Sequence, residues 1–299
     1  MTEVALPQVR PFRALVWWRT KKGQTVIKNV VVYTLLILLG ALFVFPFFWM
    51  VTSALKPEHQ IFIWPPRWIP EPIMWGNFAK ALGNPLLPFH LFFRNTMIIE
   101  VAVVTGRLLS CTLVAYGFAR LEAPGKNVLF TILLATLMLP APVTMIPKFI
   151  LFNKLGWVNT FLPLTVPHWF GEAYAIFLMR QFFLSIPREL EEAARIDGAS
   201  TLQVIRYIIV PLSIPVLTVI AILTFKDQWN DFMNPLIYLN NAKLYTLALG
   251  LAFFNGQYDV QMNLLMAASV AVMLPILILF FFAQRAFVEG ITLTGLKGV

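Results

Sequence analysis

The sequence predicts an all-α protein that crosses a membrane several times. Of its 299 residues, 59% are hydrophobic and only 12% are charged, and the mean hydropathy is +0.76. A water-soluble fold of this length needs more charged surface, because polar groups must cover its apolar core. A lipid bilayer is therefore the solvent that this composition indicates, and we expect a multi-pass protein of the cytoplasmic membrane.

Six apolar runs are long enough to cross the hydrocarbon as helices, which takes about 20 residues each. The predicted spans are residues 30–55, 95–119, 128–147, 161–183, 207–225 and 263–283. Nearly all of them contain proline or glycine, which indicates kinked helices. The chain is thus predicted to consist of a basic N-terminal tail, residues 1–29, and one six-helix transmembrane domain, residues 30–299.

The positions of the basic residues predict that both termini lie in the cytoplasm. With that orientation the inside segments hold 14 Lys and Arg residues, and the outside segments, which are longer in total, hold 8. Cytoplasmic loops are enriched in these residues. The basic residues lie at the ends of apolar runs, so the net charge of +9 indicates topology and not nucleic-acid binding. No cleavable signal peptide is expected, since the first apolar run is long enough to span.

Neither metal nor enzyme chemistry is indicated. Cys111 is the only cysteine, so no disulfide forms within the chain, and His59, His90 and His168 are too scattered for a ligand set. A zinc-protease helix needs His-Glu-x-x-His, whereas Glu58 precedes His59 and no second histidine follows nearby. A channel would require a repeated selectivity element or a polar pore face, and neither is evident.

The chain also lacks the sequence of an ATP-binding loop. Such a loop needs Gly, four residues and then Gly-Lys-Ser/Thr to hold phosphates. The nearest approach is Gly125-Lys126, which is followed by Asn127. Any ATP and Mg²⁺ used in transport must therefore be bound by a partner, and no cofactor is expected in this chain.

The most polar stretch, residues 185–215, predicts a cytoplasmic helix–turn–helix over about 187–206. Pro187 suits a first helical turn, and Gly198 is a natural helix end. Ser200 and Gln203 have the spacing of a capping box, which begins the next helix. Glu191 and Arg195, four residues apart, can form an ion pair.

One face of the first of these helices is formed by small and apolar residues. Leu190, Ala193, Ala194 and Asp197 follow one another at three- and four-residue spacing, which places them together. Two alanines allow another backbone to come close, so the helix is suited to docking a partner. An amphipathic helix lying on the membrane surface fits the composition equally well.

A motif in this stretch resembles the EAA motif of the permeases of binding-protein-dependent ABC importers. The motif is carried by Glu192-Ala193-Ala194, by Gly198 and by Ile208-Ile209-Val210-Pro211. Val210 stands where the family usually has Leu, a mild difference. Further stretches are similar to the carbohydrate-uptake branch, which includes the smaller membrane subunit of the maltose system. They are Leu55–Pro57, Pro65–Pro70, Ala115–Arg120, Phe177–Phe183, Trp229–Phe232 and Phe287–Gly290.

The resemblance implies a type I ABC importer permease bundle. The implied function is that of a transmembrane subunit which moves a sugar or oligosaccharide by alternating access, without being an enzyme itself. A permease for glycerol phosphate or another polyol is the alternative. In this family a second, homologous permease subunit, two ATP-binding subunits and an extracytoplasmic solute-binding protein complete the importer.

The resemblance also implies two contact regions. Glu192, Ala193, Ala194, Asp197 and Gly198 would be the surface that couples to the ATPase. A loop that centres on Asn255, Gly256 and Gln257 would reach the solute-binding protein, although its sequence is also compatible with a plain reverse turn.

Three charged residues lie deep inside the predicted spans, away from the span ends, where charges are costly and are functional candidates. They are Glu100, Arg107 and Glu172. Counted from the outer ends of their spans, Arg107 and Glu172 are both about 17 Å deep. An ion pair between these two residues that fixes helix packing is one hypothesis. The other is that one or more of the three lines the solute path.

Overall fold

The computed structural model describes residues 21–85, 87–254 and 261–295, and this part contains helices and no β-strand. It confirms the predicted all-α fold. The first seven helices are α1 (Lys21–Ala54), α2 (Gly76–Leu82), α3 (Phe89–Arg120), α4 (Lys126–Ala135), α5 (Ala141–Lys154), α6 (Leu162–Thr165) and α7 (Ala173–Leu184). The remaining seven are α8 (Glu189–Ile196), α9 (Thr201–Val204), α10 (Val210–Leu212), α11 (Ile214–Trp229), α12 (Met233–Tyr238), α13 (Leu247–Phe254) and α14 (Met262–Gly295).

Within the described residues, three helices are long and apolar enough to cross a membrane, namely α1, α3 and α14. Two further stretches are pairs of helices joined at a sharp bend, Lys126–Met138 with Ala141–Lys154 and Thr201–Leu212 with Ile214–Trp229. If each pair is counted as one span, the described residues contain five spans. The count of six spans therefore stays a prediction. α1 also begins at Lys21, earlier than the predicted start of the first span at residue 30.

The predicted third span, residues 128–147, is not one continuous helix. α4 ends in a 3-10 turn, Thr136–Met138, and α5 leaves it at an angle of 101°. Leu139, between them, has an extended backbone with ψ of 117°. The cause is Pro140, because the helical region is disfavoured for the residue before a proline and the proline itself donates no hydrogen bond.

The predicted fourth span, residues 161–183, is also broken. After α6 the chain forms a 3-10 turn, Val166–Phe170, and Gly171 then takes a φ of +90°, which only glycine adopts readily. α7 begins anew at Ala173. We call residues Val166–Glu172 the broken segment. Pro163 and Pro167, which remove two backbone donors, explain why the helix on this side is so short.

The predicted fifth span, residues 207–225, contains two irregularities. A π-helical turn, Ile205–Ile209, separates α9 from α10. Ser213 then separates α10 from α11, and the two arms meet at an angle of 79°. Pro211 and Pro215 flank this break, and each lacks the N–H that a continuous helix would use.

α3 is the central helix of the bundle. It contacts α6, α7, α11, α13 and the broken segment. In the most apolar 18-residue stretch of α3, 33% of the residues are buried, whereas none are buried in the corresponding stretch of α1. α1 packs mainly on α14, so its apolar side chains are left for lipid or another subunit.

Two clusters of buried side chains mark the two ends of the bundle. The cluster that we call the α8-end cluster joins α3 and α7 to the segment after α8; it includes Tyr116, Met179, Phe183, Val204 and Ile209. The α2-end cluster joins α1, α2, the start of α3 and α14; it includes Ala54, Ala81, Phe92, Trp229 and Leu264. Each end of α3 is thereby held by its own core.

A glycine of α3 permits a close approach of the broken segment. The indole of Trp169 lies so near Gly106 that an added Cβ would stand 2.4 Å from Nε1 of Trp169. Gly250 admits the ring of Phe92 in the same way, with 2.4 Å between a Cβ and Cδ2. These two contacts leave no room for any other residue at either glycine without displacement of the ring.

We expect Gly106→Ala to lower the melting temperature of the purified protein. The new methyl group would overlap the Trp169 indole, and overpacking of such a contact costs about 1–3 kcal/mol. Gly117→Ala, in the same helix, is the matched control because an added Cβ meets nothing within 4 Å there. Thermal unfolding followed by intrinsic fluorescence in detergent measures both, and equal melting temperatures for the two variants would contradict this packing.

Candidate functional site

α8 forms where the sequence predicts a helix, and its ends are well defined. Glu189, Glu191 and Glu192 lie in its first turn and Arg195 in its last, an order of charges that favours the helix dipole. Gly198 has a φ of +87°. The helix ends in a Schellman motif, because Ala199 N donates to Ala194 O at 2.9 Å and Gly198 N donates to Arg195 O at 3.0 Å.

The capping box predicted after this turn is present. Ser200 N donates to Gln203 Oε1 at 2.7 Å, and the Ser200 side chain accepts from the backbone N–H of Gln203. The two bonds satisfy N–H groups that a helix start would otherwise leave free. α8, Gly198 and α9 therefore form one ordered helix–turn–helix.

The residues predicted to couple to an ATPase lie together on α8 and its end. Glu192, Ala193, Asp197 and Gly198 are exposed, and Ala194 is half-buried against the α8-end cluster. Exposed apolar side chains flank them, namely Leu190 at 45% and Ile196 at 87% exposure. Sequence reasoning missed Ile196, although a large apolar residue opposite the buried side of an acidic helix is a usable signal.

The opposite side of α8 is anchored by a buried charge. The carboxylate of Glu191 lies 2.5 Å from Nε of Arg120, at the end of α3, and accepts a hydrogen bond from the Tyr116 hydroxyl at 3.0 Å. Arg120 also donates through Nη2 to Ile186 O at 2.6 Å. The side chains of Arg120 and Glu191 are only 5% and 8% exposed.

The predicted ion pair between Glu191 and Arg195 is therefore wrong. Residues four apart on a helix can pair when both face solvent, but Glu191 is on the inner side of α8 and Arg195 is exposed. Within the described residues, the ion-pair partner of Glu191 is Arg120 and not Arg195. The sequence held a signal in Arg120, the charged residue that ends the apolar helix α3.

A second arginine connects neighbouring helices at the same end of the bundle. Arg180 of α7 donates through Nε to Phe118 O of α3 at 3.2 Å, and its guanidinium lies 4.3 Å from the ring centre of Phe130 in α4. A cation above an aromatic face is attracted by the negative charge of the ring. α3, α4, α7 and α8 are thus joined by polar contacts as well as by apolar packing.

The predicted ion pair between Arg107 and Glu172 is also wrong. Arg107 donates through Nη1 to Thr224 Oγ1 at 3.3 Å, and its Nη2 lies 2.9 Å from Nδ1 of His168. Because a guanidinium only donates, Nδ1 of His168 must accept. Glu172 instead caps α7, where its two carboxylate oxygens accept from the backbone N–H groups of Tyr174 and Ala175 at 3.0 and 2.8 Å.

Glu100, the third intramembrane charge, is enclosed within the bundle. It is 1% exposed, and neither of its carboxylate oxygens has a hydrogen-bond partner among the residues that the structure describes. It precedes Arg107 by two turns of α3 and forms no ion pair with it in this conformation. A role of Glu100 in the solute path stays a prediction.

The other end of the bundle is fixed by Asn77 of α2. Its Nδ2 donates to Ala54 O at 2.8 Å and to Lys56 O at 2.9 Å, so it binds backbone carbonyl groups at the C-terminal end of α1. The Lys56 side chain is buried with its ammonium 4.4 Å from the ring centre of Trp49. Burial lowers the pKa of Lys56, because a charged ammonium loses its hydration there.

The proposed binding-protein contacts Asn255, Gly256 and Gln257 lie outside the described residues.

The described ranges contain no group of three or more His, Cys, Asp or Glu side chains placed to hold a metal ion. The side chains that the structure brings together are thus the α8 surface, its anchor to α3, and the contacts of Arg107.

Comparisons with known proteins agree on one kind of molecule. Residues 111–293 match a family model described as a binding-protein-dependent transport system inner membrane component. The chain is 34% identical to an arabinooligosaccharides transport system permease protein of Halalkalibacterium halodurans, over 85% of this chain and 91% of the relative. It is 33% identical to an sn-glycerol-3-phosphate transport system permease protein of Pectobacterium atrosepticum, over 83% and 90%. Among solved structures, a bacterial ABC transporter involved in the import of the acidic polysaccharide alginate has a TM-score of 0.80 at 22% identity, covering 89% of this chain and 98% of that one.

We expect Glu191→Gln to destabilise the protein by on the order of 3 kcal/mol, because it leaves the buried Arg120 charge without its counter-ion. The double variant Arg120→Met with Glu191→Leu should recover part of this loss, since an apolar pair needs no counter-charge. Asp227→Asn is the matched control, because Asp227 pairs with Lys226 at 3.6 Å while both side chains are about two-thirds exposed. Thermal unfolding measures all three, and an equal loss in Glu191→Gln and Asp227→Asn would argue against the anchor.

Proposed function

The chain belongs to the family of binding-protein-dependent transport system inner membrane components, and from this premise we propose that it carries a sugar or oligosaccharide across the membrane by alternating access. The observation that carries the proposal is the arrangement of α8. One side of this helix is exposed and carries small side chains, and its other side is held to α3 by a buried ion pair. A force applied to the exposed side is therefore passed to the central helix of the bundle.

The force is proposed to come from an ATP-binding subunit that docks on α8. Ala193 and Gly198 allow close contact of backbones, and Glu192 and Asp197 offer carboxylates to basic side chains of the partner. The exposed Ile196 adds apolar area that an interface would cover. ATP and Mg²⁺ would be bound by two such subunits, so this chain itself is not the enzyme.

A second permease subunit and a solute-binding protein are proposed to complete the importer. The family description names a binding-protein-dependent system, and α1 exposes an apolar surface that lipid or another permease can cover. The solute-binding protein would dock at the α2 end, where α13 also packs, and Asn255, Gly256 and Gln257, which follow α13 in the sequence, are its proposed contacts.

The proposed solute is a sugar or oligosaccharide. Two of the similar proteins are named for arabinooligosaccharides and for the polysaccharide alginate. A relative named for sn-glycerol 3-phosphate supports that compound as the second candidate. All three solutes are rich in oxygen, which makes a route lined with hydrogen-bond donors a shared requirement.

The α8 end and both chain termini are proposed to lie in the cytoplasm. The excess of Lys and Arg in the segments on that side supports this orientation. It also places α8 where ATP is available, which the docking of an ATPase requires.

We expect Gly198→Trp to abolish ATP-driven uptake while the protein still inserts in the membrane. The indole would stand on the docking surface, at a φ of +87° that side chains rarely adopt. Gly156→Trp is the matched control, since Gly156 has a φ of +69° and equally open surroundings but lies after α5, in a segment proposed to face the outside. Uptake of a labelled arabino-oligosaccharide into proteoliposomes that hold the complete importer tests both.

Equal uptake by the Gly198→Trp and Gly156→Trp proteins would contradict the role of α8. Loss of uptake in both would show that backbone strain, and not the docking surface, is responsible. If the unmodified importer takes up none of an arabino-oligosaccharide, an alginate oligosaccharide and sn-glycerol 3-phosphate when ATP is supplied, the proposed function itself is wrong.

A membrane-impermeant maleimide tests the orientation. In a Cys111→Ser background, we expect Asp197→Cys to react only after the membrane is opened, because α8 faces the cytoplasm. Phe62→Cys, in the loop after α1, should react from outside, since Phe62 is 79% exposed. The reverse pattern of labelling would overturn the proposed topology.

A further inference from the structure

The contacts around Arg107 form a polar and aromatic surface in the middle of the bundle. Arg107 lies 13 residues before the end of α3 at Arg120, about 20 Å along the helix axis. It is half-buried, its guanidinium contacts only the neutral groups of Thr224 and His168, and its Nε has no hydrogen-bond partner among the described residues. Several of its five N–H donors therefore remain open.

Trp169 provides an aromatic surface next to this arginine. One side of its indole is pressed against Gly106, the residue before Arg107, and 46% of Trp169 remains exposed. The ring cannot move toward α3, because that contact is already at its limit. A flat apolar surface and a set of free N–H donors thus lie side by side.

The broken segment that carries Trp169 and His168 is fastened to α3 at several points. Ser110 Oγ donates to His168 O at 3.3 Å, and Glu172 N donates to Cys111 Sγ at 3.3 Å. Irregular backbone within a membrane protein is tolerated where it is covered by protein or lines a polar cavity. In transporters, broken helices near the middle of the membrane commonly form solute sites.

The charge of Arg107 limits what the exposed side of Arg107 and Trp169 can face. A guanidinium without a counter-charge is costly against acyl chains, so the exposed side of Arg107 and Trp169 does not face lipid. It faces either the solute route or the second permease. Sugar rings pack their C–H faces on an indole, and their oxygens accept hydrogen bonds from a guanidinium, so this pair of groups fits a carbohydrate.

We propose that Trp169 and Arg107 form a contact site for the transported carbohydrate, with a sugar ring stacked on the indole and a ring substituent oxygen bound to the guanidinium. His168 and Thr224 hold the guanidinium in place and are positioning residues. The inference rests on the proposed function and adds to it, because it assigns solute recognition to this subunit and places it on α3 and the broken segment.

Uptake by the reconstituted complete importer tests the site, with an arabino-oligosaccharide, an alginate oligosaccharide and sn-glycerol 3-phosphate as labelled probes. The unmodified importer should take up one of the two oligosaccharides. Trp169→Leu and Arg107→Gln should each lower the maximal rate of uptake of that solute by about tenfold, because the half-saturating concentration is set by capture on the solute-binding protein. ATP hydrolysis without solute and co-purification of the subunits should stay unchanged. Trp169→Phe should retain more uptake than Trp169→Leu, because a phenyl ring still stacks.

Phe43→Leu is the matched control, since Phe43 is 71% exposed on α1 and removal of its ring should leave uptake unchanged. A normal maximal rate of uptake in Trp169→Leu would overturn the site. Loss of subunit co-purification in Trp169→Leu would overturn it too, because the surface would then contact the second permease. Uptake of sn-glycerol 3-phosphate alone would overturn ring stacking but leave the importer assignment intact, and failure of every probe would refute the proposed function as well.

Discussion

The buried ion pair between Arg120 and Glu191 is the interaction on which the position of α8 depends. α8 has only eight residues, and so short a helix is not stable by itself in water. Apolar packing alone would hold it loosely, because the hydrophobic effect has no direction. Two buried charges, in contrast, tolerate little displacement, since each would lose its counter-charge. The pair thus makes α8 part of the same rigid unit as the end of α3.

α3 connects this unit to the middle of the bundle. Arg120 ends the helix and Arg107 lies in its central part, with α7, α11 and the broken segment packed along it. The covalent route from α8 to α11 is less direct, because it passes a π-helical turn and a bend of 79°. A displacement of α8 therefore reaches the Arg107 region mainly through side-chain contacts with α3. The arrangement lets one central helix connect the proposed docking surface on α8 to a polar surface deep in the bundle.

Local signals in the sequence predicted local structure correctly. The helix end at Gly198 and the capping box of Ser200 and Gln203 involve residues a few positions apart, and both are present. The sequence analysis predicted kinked helices but not the full breaks at Pro140 and Gly171. A proline indicates that a helix bends but not by how much, because the neighbouring helices set the angle.

The contacts of the charged residues could not be predicted for a related reason. Arg107 contacts residues 61 and 117 positions away, and no sequence spacing encodes such distances. Glu191 shows a further limit, since helical periodicity tells which residues share a face but not which face turns inward. Burial decided between Arg195 and Arg120 as its partner, and burial follows only from the assembled bundle.

The π-helical turn at Ile205–Ile209 sets the rotation of the preceding helix–turn–helix, α8 and α9, relative to α10. Each residue of an α-helix advances the chain by about 100° around the axis, and a π turn holds one residue more than an ordinary turn. Loss of a single residue there would rotate Ala193 away from the partner subunit that we propose, while every side chain of the α8 surface stayed chemically the same. The length of the chain between Gly198 and Pro211 is therefore as much a part of the proposed coupling as the residues that would make contact.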